Sequence, residues 1–80
     1  MKTVHVQYFA LLREQRGLSR ESVPTAAATA GELYEELRAR HALTLTPAQL
    51  RVAVNGEFAA WSAPLTEGAQ LVFIPPVAGG

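Results

Sequence analysis

Several residue types with distinctive chemistry are missing from this chain of 80 residues. It has no cysteine, which excludes disulfides, thiolate zinc sites, iron–sulfur clusters and cysteine catalysis. It has no aspartate, which excludes Ser-His-Asp triads and Asp-rich calcium loops. Its two histidines are too few for a protein-only zinc site unless carboxylates join them. The usual equipment of an enzyme is therefore absent from the sequence.

The charge balance and the hydrophobic pattern argue against nucleic acid or a membrane as a partner. Seven Lys and Arg balance seven acidic residues, so the formal net charge is +0 and offers no electrostatic footprint for a polyanion. No apolar run approaches the ~20 residues that a bilayer requires, and the N-terminus lacks a basic-then-apolar signal pattern. We expect one small cytoplasmic domain with a thin core.

The first third of the chain predicts a strand, a brief helix and a second strand. Apolar and polar residues alternate over 4–8, the period of a half-buried strand. Residues 9–14 lose that alternation and predict a short helix that ends at Gly17. A second strand is predicted over 20–24, and Pro24 would either confine it to an edge of the sheet or cut it short.

The main helix is predicted to start at Thr29, because Thr29 and Glu32 have the spacing of a capping box. An apolar stripe at helical spacing follows, formed by Ala30, Leu33, Tyr34 and Leu37. After it, Asn55-Gly56 predicts a type I′ turn between strands over 50–54 and 57–60. A final strand is predicted over 70–74, preceded by a turn at Gly68.

This order of elements predicts an α+β fold of the β-grasp, or ubiquitin-like, type. We expect a mixed sheet of five strands or fewer, packed on one main helix with a short N-terminal helix beside it. The head would occupy residues 1–74, and residues 75–80 would form an extended tail ending in Gly-Gly.

The tail is the most unusual part of the sequence. Pro75 and Pro76 fix their φ angles and offer no N–H, so they stop the sheet and stiffen its exit. Six extended residues reach roughly 20 Å, and Gly79 and Gly80 carry no side chain, so a narrow channel can close around them.

A terminal carboxylate is ionised at neutral pH and becomes an acyl donor only after activation, most simply adenylation. Sulfide would then give a thiocarboxylate, and an amine would give a covalent tag.

Four stretches of the chain resemble the family of molybdopterin synthase small subunits (MoaD). They are residues 8–14 (YFALLRE), 52–56 (VAVNG), 64–68 (PLTEG) and 72–80 (VFIPPVAGG). The main segment without a family-specific motif is residues 18–48.

The resemblance implies that the chain is a sulfur carrier in molybdenum cofactor biosynthesis. An E1-like activating enzyme would use ATP to adenylate Gly80, and a sulfurtransferase system would convert it to a thiocarboxylate. The chain would then dock on the large synthase subunit and thread Val77, Ala78, Gly79 and Gly80 into its pocket, where sulfur passes to a cyclic pterin precursor. The catalytic side chains would belong to that partner, and this chain would bind no cofactor itself.

A docking patch is predicted near the exit of the tail. On the last strand, Leu71 and Phe73 face one way and Val72 and Ile74 the other. One pair should be core, and the other is either covered by the short helix or exposed for docking. The candidates for partner binding are Phe9, Arg13, Phe73, Ile74, Pro75 and Pro76.

Other functions remain open at this stage. A carrier of sulfur for the thiazole of thiamine or for a thiolated tRNA base would share the same head and tail. A ubiquitin-like covalent modifier would use the same carboxylate with an amine. A passive binding module with a disordered tail is the alternative from a different class.

Overall fold

Five strands and two helices make up the computed structural model, which describes residues 1–75. In chain order the elements are β1 (Lys2–Tyr8), α1 (Ala10–Arg16), β2 (Arg20–Thr25), α2 (Ala30–His41), β3 (Arg51–Val54), β4 (Glu57–Ala59) and β5 (Gln70–Ile74), with a 3-10 turn at Pro47–Gln49 before β3. Within this part of the chain, no helix is both long and apolar enough to cross a bilayer.

The strands form one mixed sheet in the order β2-β1-β5-β3-β4. The last strand, β5, lies in the middle, parallel to β1 and antiparallel to β3, and the outer pairs are antiparallel. The strand that contains Pro24, β2, is an edge strand, as predicted. Proline is tolerated in an edge strand because one side of that strand has no neighbour that needs a hydrogen-bond donor. The predicted five-stranded sheet with one main and one short helix is confirmed.

The core lies between one face of the sheet and the helices. The apolar stripe of α2 is buried as predicted, and Leu12 anchors α1 in the same cluster. Phe73 from β5 lies at its centre, with ring centroids 5.0 Å from Tyr34 and 6.0 Å from Trp61. Because such aromatic pairs bury large areas of apolar surface, they hold the helix against the middle of the sheet.

The local signals read from the sequence are mostly present. The Thr29 hydroxyl accepts a hydrogen bond from the Glu32 backbone N–H at 3.2 Å and caps α2. The Glu32 carboxylate accepts from that hydroxyl at 3.3 Å instead of returning to the backbone, so only half of the predicted capping box forms. In the hairpin, Asn55 (φ 52°) and Gly56 (φ 87°) are both left-handed, as a type I′ turn requires.

Replacing Gly56 tests the hairpin. In Gly56→Ala, a side chain is forced into the left-handed region, where an L-residue pays roughly 1–2 kcal/mol. Steric crowding does not contribute, because a Cβ at this position meets no atom within 4 Å. We expect urea unfolding to show a loss of about 1 kcal/mol in stability. An unchanged midpoint would mean that the turn does not need a left-handed residue there.

Candidate docking surface and tail exit

One face of the sheet, here called the open face, is left without a helix across it in residues 1–75. Strand register and alternation assign its side chains, and each of them is exposed or half-buried. They are Thr3, His5, Gln7, Arg20, Ser22, Pro24, Arg51, Ala53, Phe58, Gln70, Val72 and Ile74. The head therefore presents a flat, accessible surface opposite its core.

An apolar cluster occupies the end of the open face where β5 ends. We call Phe9, Phe58, Ile74 and Pro75 the docking surface. Phe9 is 41% exposed and Phe58 is 62% exposed. Phe58, Ile74 and Pro75 also line a groove of about 370 Å³ with Leu50. Because Pro75 is the first residue of the predicted tail, the tail leaves the head at the edge of this cluster.

A cation lies against the apolar cluster. The guanidinium carbon of Arg51 is 4.3 Å from the centroid of the Phe58 ring, a cation–π contact. At exposed sites such contacts contribute about 0.5–1 kcal/mol. Arg51 also pairs with Ile74 across the β3–β5 ladder. The docking surface thus combines aromatic area with one positive charge.

Phe9 is held outward by the junction between β1 and α1. Its backbone is extended (φ −129°, ψ 155°), so it continues the strand alternation that turns Tyr8 into the core. The next residue, Ala10, is left-handed (φ 51°), a conformation that costs a non-glycine residue roughly 1–2 kcal/mol. Buried Leu12 then fixes the helix that follows. The direction of Phe9 is therefore set by the fold around it.

A polar cluster ties α1 to β1 and β2. The Tyr8 hydroxyl donates to Glu21 Oε2 at 2.6 Å, and Arg16 donates to both carboxylate oxygens, at 2.7 and 2.8 Å. The hydrogen bonds from Arg16, and then from Tyr8, hold the pKa of Glu21 below its usual range despite partial burial. Burial, followed by the bond to Glu21, raises the pKa of Tyr8. This cluster fixes the helix that follows Phe9.

The structure places the predicted site residues in three different environments. Phe9, Ile74 and Pro75 belong to the docking surface, and Arg13 is exposed on α1, whose Leu12 packs into the core. The prediction for Phe73 is wrong: its side chain is 0% exposed, because the alternation of β5 turns it into the core, so no partner can reach it. The remaining candidates, Pro76, Val77, Ala78, Gly79 and Gly80, lie outside the described residues.

The open question about the last strand is answered by exposure. Leu71 and Phe73 are the core pair, whereas Val72 and Ile74 are half-buried on the open face. The short helix contributes Leu12 to the core, on the other side of the sheet. This leaves the second pair available for docking rather than covered.

Phe58 of the docking surface and Arg51, which stacks on it, were not predicted as partner-binding residues. The signal was present: Val52 and Val54 point inward, so the alternation puts Ala53 outward, and a two-residue hairpin pairs Ala53 with Phe58. An aromatic residue at that register position faces away from the core. Arg51 follows from the same alternation.

These features define a class of protein: a ubiquitin-like β-grasp domain whose central strand leads into a Gly-Gly tail beside an apolar patch. The model of the ThiS family matches residues 6–80. The chain belongs to the ThiS family.

Known proteins similar to this chain agree with that assignment. The molybdopterin synthase sulfur carrier subunit of Escherichia coli (strain K12) is 35% identical over 80 residues, covering 96% of this chain and 99% of that protein. A putative molybdopterin converting factor, subunit 1, from Pyrococcus furiosus has 28% identity and a TM-score of 0.80, covering 96% of this chain and 100% of that one. Small archaeal modifier protein 1 of Haloferax volcanii has 25% identity and a TM-score of 0.80 over the same shares.

The Glu21 cluster gives a testable acid dependence. A carboxyl whose pKa is lowered on folding stabilises the protein above its ordinary value of 4.5, and this contribution is lost as the pH falls through the folded value. We expect the unfolding free energy of Glu21→Gln at pH 7 to be about 1.5–3 kcal/mol lower than that of the wild type, the range for hydrogen bonds to a charged group. Its unfolding free energy should also fall less steeply than that of the wild type between pH 5 and pH 3, measured by urea titration.

Glu57→Gln is the matched control, because Glu57 is exposed and forms no ion pair within residues 1–75. Its acid limb should follow the wild type. Parallel acid limbs for all three proteins would contradict a stabilising role for the Glu21 carboxylate.

The two phenylalanines of the sheet should respond in opposite ways to truncation. Phe73→Ala leaves a cavity in the core, and we expect a loss of about 3–5 kcal/mol in unfolding free energy. Phe58→Ala removes an exposed ring, and we expect about 1 kcal/mol or less. Urea unfolding of both variants measures the difference. Comparable losses would contradict the assignment of Phe58 to the surface.

Proposed function

We propose that this chain is the sulfur carrier subunit of a molybdopterin synthase, with Gly80 as the residue that carries sulfur. The full-length identity of 35% to the Escherichia coli carrier is the observation on which this proposal mainly rests. The position of the docking surface supports it, because a partner that covers Phe9 and Ile74 would receive the tail from Pro75 directly.

The chemistry takes place at the terminal carboxyl group. In an E1-like enzyme, the Gly80 carboxylate would attack the α-phosphate of ATP, giving an acyl-adenylate and pyrophosphate. The terminal sulfur of a sulfurtransferase persulfide would then displace AMP, so that a C–S bond replaces the C–O bond to AMP. A thiol would cleave the resulting acyl disulfide, leaving the thiocarboxylate on Gly80 and a disulfide as the oxidised product. The thiocarboxylate sulfur would bond to the cyclic pterin precursor in the large subunit, and water would hydrolyse the acyl C–S bond, which leaves the sulfur on the pterin and restores the Gly80 carboxylate. Two such transfers would complete the dithiolene.

The head of this chain would contribute binding and delivery. Exposed aromatic surface next to the tail exit is the kind of patch that monomers rarely leave uncovered without a partner. Gly79 and Gly80 would let the partner's channel close around the backbone at all sides. The partner would supply the catalytic side chains and the ATP site.

A second candidate function is covalent modification of other proteins. It is favoured by the similarity to small archaeal modifier protein 1, whose TM-score of 0.80 equals that of the converting-factor subunit. In this function a lysine amine would attack the same acyl-adenylate, forming an amide and releasing AMP. Lys2, the single lysine of the chain, donates to the Ala27 carbonyl at 2.7 Å, so chains of linked copies are not expected through it.

Intact mass spectrometry tests the carrier function. The protein would be incubated with ATP, an E1-like activating enzyme and a sulfide source. We expect a mass increase equal to the exchange of one oxygen for sulfur, located at Gly80 by fragmentation. The matched control is the same chain extended by one alanine after Gly80, in which the acyl group is displaced from the activating site; it should not change in mass.

The same experiment separates the candidates. An unchanged mass with active partner enzymes would contradict the carrier function. Amide-linked conjugates of the tagged protein in cell extracts, mapped to Gly80 and a lysine, would favour the modifier instead. The deletion of Gly79 and Gly80 should abolish sulfur transfer while the urea unfolding curve stays the same.

A further inference from the structure

The charges of this chain are unevenly distributed, although they sum to zero. Among the side chains that the strands place on the open face, Arg20, Arg51 and His5 are basic, and none is a carboxylate. The glutamates on strands, Glu21 and Glu57, fall on the opposite alternation. In a chain with a net charge of +0, the strands therefore place no carboxylate side chain on the open face.

Three of the six arginines form ion pairs elsewhere. Arg16 pairs with Glu21 at 2.7 Å, and Arg38 and Arg40 pair with glutamates of the same helix at 3.5 and 3.7 Å. Arg20 and Arg51 are exposed and make no ion pair with any other residue in 1–75. Their positive charges are thus not neutralised within the described head.

Arg20 flanks the docking surface on the β2 side, whereas Arg51 lies within it, between Ile74 on β5 and Phe58 on β4. Arg20 pairs with Gln7 near the start of β2, and Arg51 pairs with Ile74 near the start of β3, so both lie at the end of the sheet where the tail leaves. The strands β1 and β5 separate them, and three strand spacings of about 4.8 Å give about 14 Å across the sheet. Arg51 also lies two residues along β3 from Ala53, which is level with Arg20, so the two backbones are about 16 Å apart. Phe9 and Ile74 lie between them.

Arg20 also borders a second groove on the same face. This groove, of about 400 Å³, runs across β1 from β2 to β5, and its lining includes the polar residues Gln7 and Ser22 and the apolar residue Val72. Glu21 also lines it, and its carboxylate is paired with Arg16. The open face is therefore apolar with one cation on the β3 side, and polar with one cation on the β2 side. A partner that covers the apolar part and reaches across β1 would meet both charges.

We propose that the open face takes a partner protein whose contacting surface carries two carboxylate groups. One faces Arg51 within an apolar contact with Phe9, Phe58 and Ile74, and the other faces Arg20 on the β2 side of that contact. This inference rests on the proposed function, because the partner is the protein whose pocket receives the tail. A protein surface fits better than a nucleic acid, since the two unpaired cations border an exposed aromatic cluster rather than tracking a phosphate backbone.

Charges at the rim of an interface act mainly on the association rate and its salt dependence. The probe is the large molybdopterin synthase subunit from the same organism, immobilised for surface plasmon resonance at 20 mM and 500 mM NaCl. We expect Arg20→Gln and Arg51→Gln each to slow association about 3- to 10-fold at 20 mM salt, and less than about 2-fold at 500 mM, where the charges are screened. Arg51→Lys, which keeps the charge, should recover most of the rate.

Arg40→Gln is the matched control. It removes the same unit of charge from an exposed arginine, but on α2, which lies on the other side of the sheet. Its association rate should change less than about 2-fold at both salt concentrations. Equal rates for the Arg20, Arg51 and Arg40 variants would overturn the proposal, as would a wild-type protein that does not bind the large subunit.

Two further outcomes would identify a different occupant of the open face or a failure of the carrier function alone. Sedimentation at 20 mM NaCl that shows a wild-type dimer, lost in Arg51→Gln, would assign the face to a second copy of the chain and overturn the proposal. Salt-dependent binding that requires both arginines, together with no mass change at Gly80, would support the acidic partner while contradicting the carrier function. The two proposals can therefore fail independently.

Discussion

The parallel pairing of β1 with β5 is the constraint on which the rest of the structure depends. It places the last strand in the middle of the sheet, so Phe73 lies at the centre of the core and Ile74 emerges next to Phe9. If β5 were an edge strand, the tail would leave far from the exposed aromatic residues. The core and the tail exit are therefore consequences of one strand pairing.

Most of the fold follows from local patterns in the sequence. The Asn55-Gly56 turn, the apolar stripe of α2 and the edge position of Pro24 each rest on a short-range steric or periodic rule. The half-formed capping box at Glu32 shows where such rules stop, because the carboxylate has two hydrogen-bond donors within reach and the spacing alone does not choose between them.

The candidate site was harder to predict, since exposure depends on how distant segments meet. The alternation within β5 identified two faces, but only the packing of Tyr34 and Trp61 against Phe73 decides which face is core. Phe58 was missed for a related reason: its exposure follows from the register of a neighbouring strand rather than from its own surroundings in the sequence. The cluster of Tyr8, Arg16 and Glu21 likewise joins β1, α1 and β2, and no periodic pattern in the sequence predicts it.

The sheet topology also bears on how the protein is made. The segments that pair as β1 and β5 lie about as far apart in the sequence as the head allows, and β3 pairs with β5 as well. During synthesis on the ribosome, a nascent chain that lacks residues 70–74 has no central strand to pair with β1 and β3. The core can therefore close only after that segment has emerged, and a prematurely terminated fragment would reach quality-control proteases without a folded head.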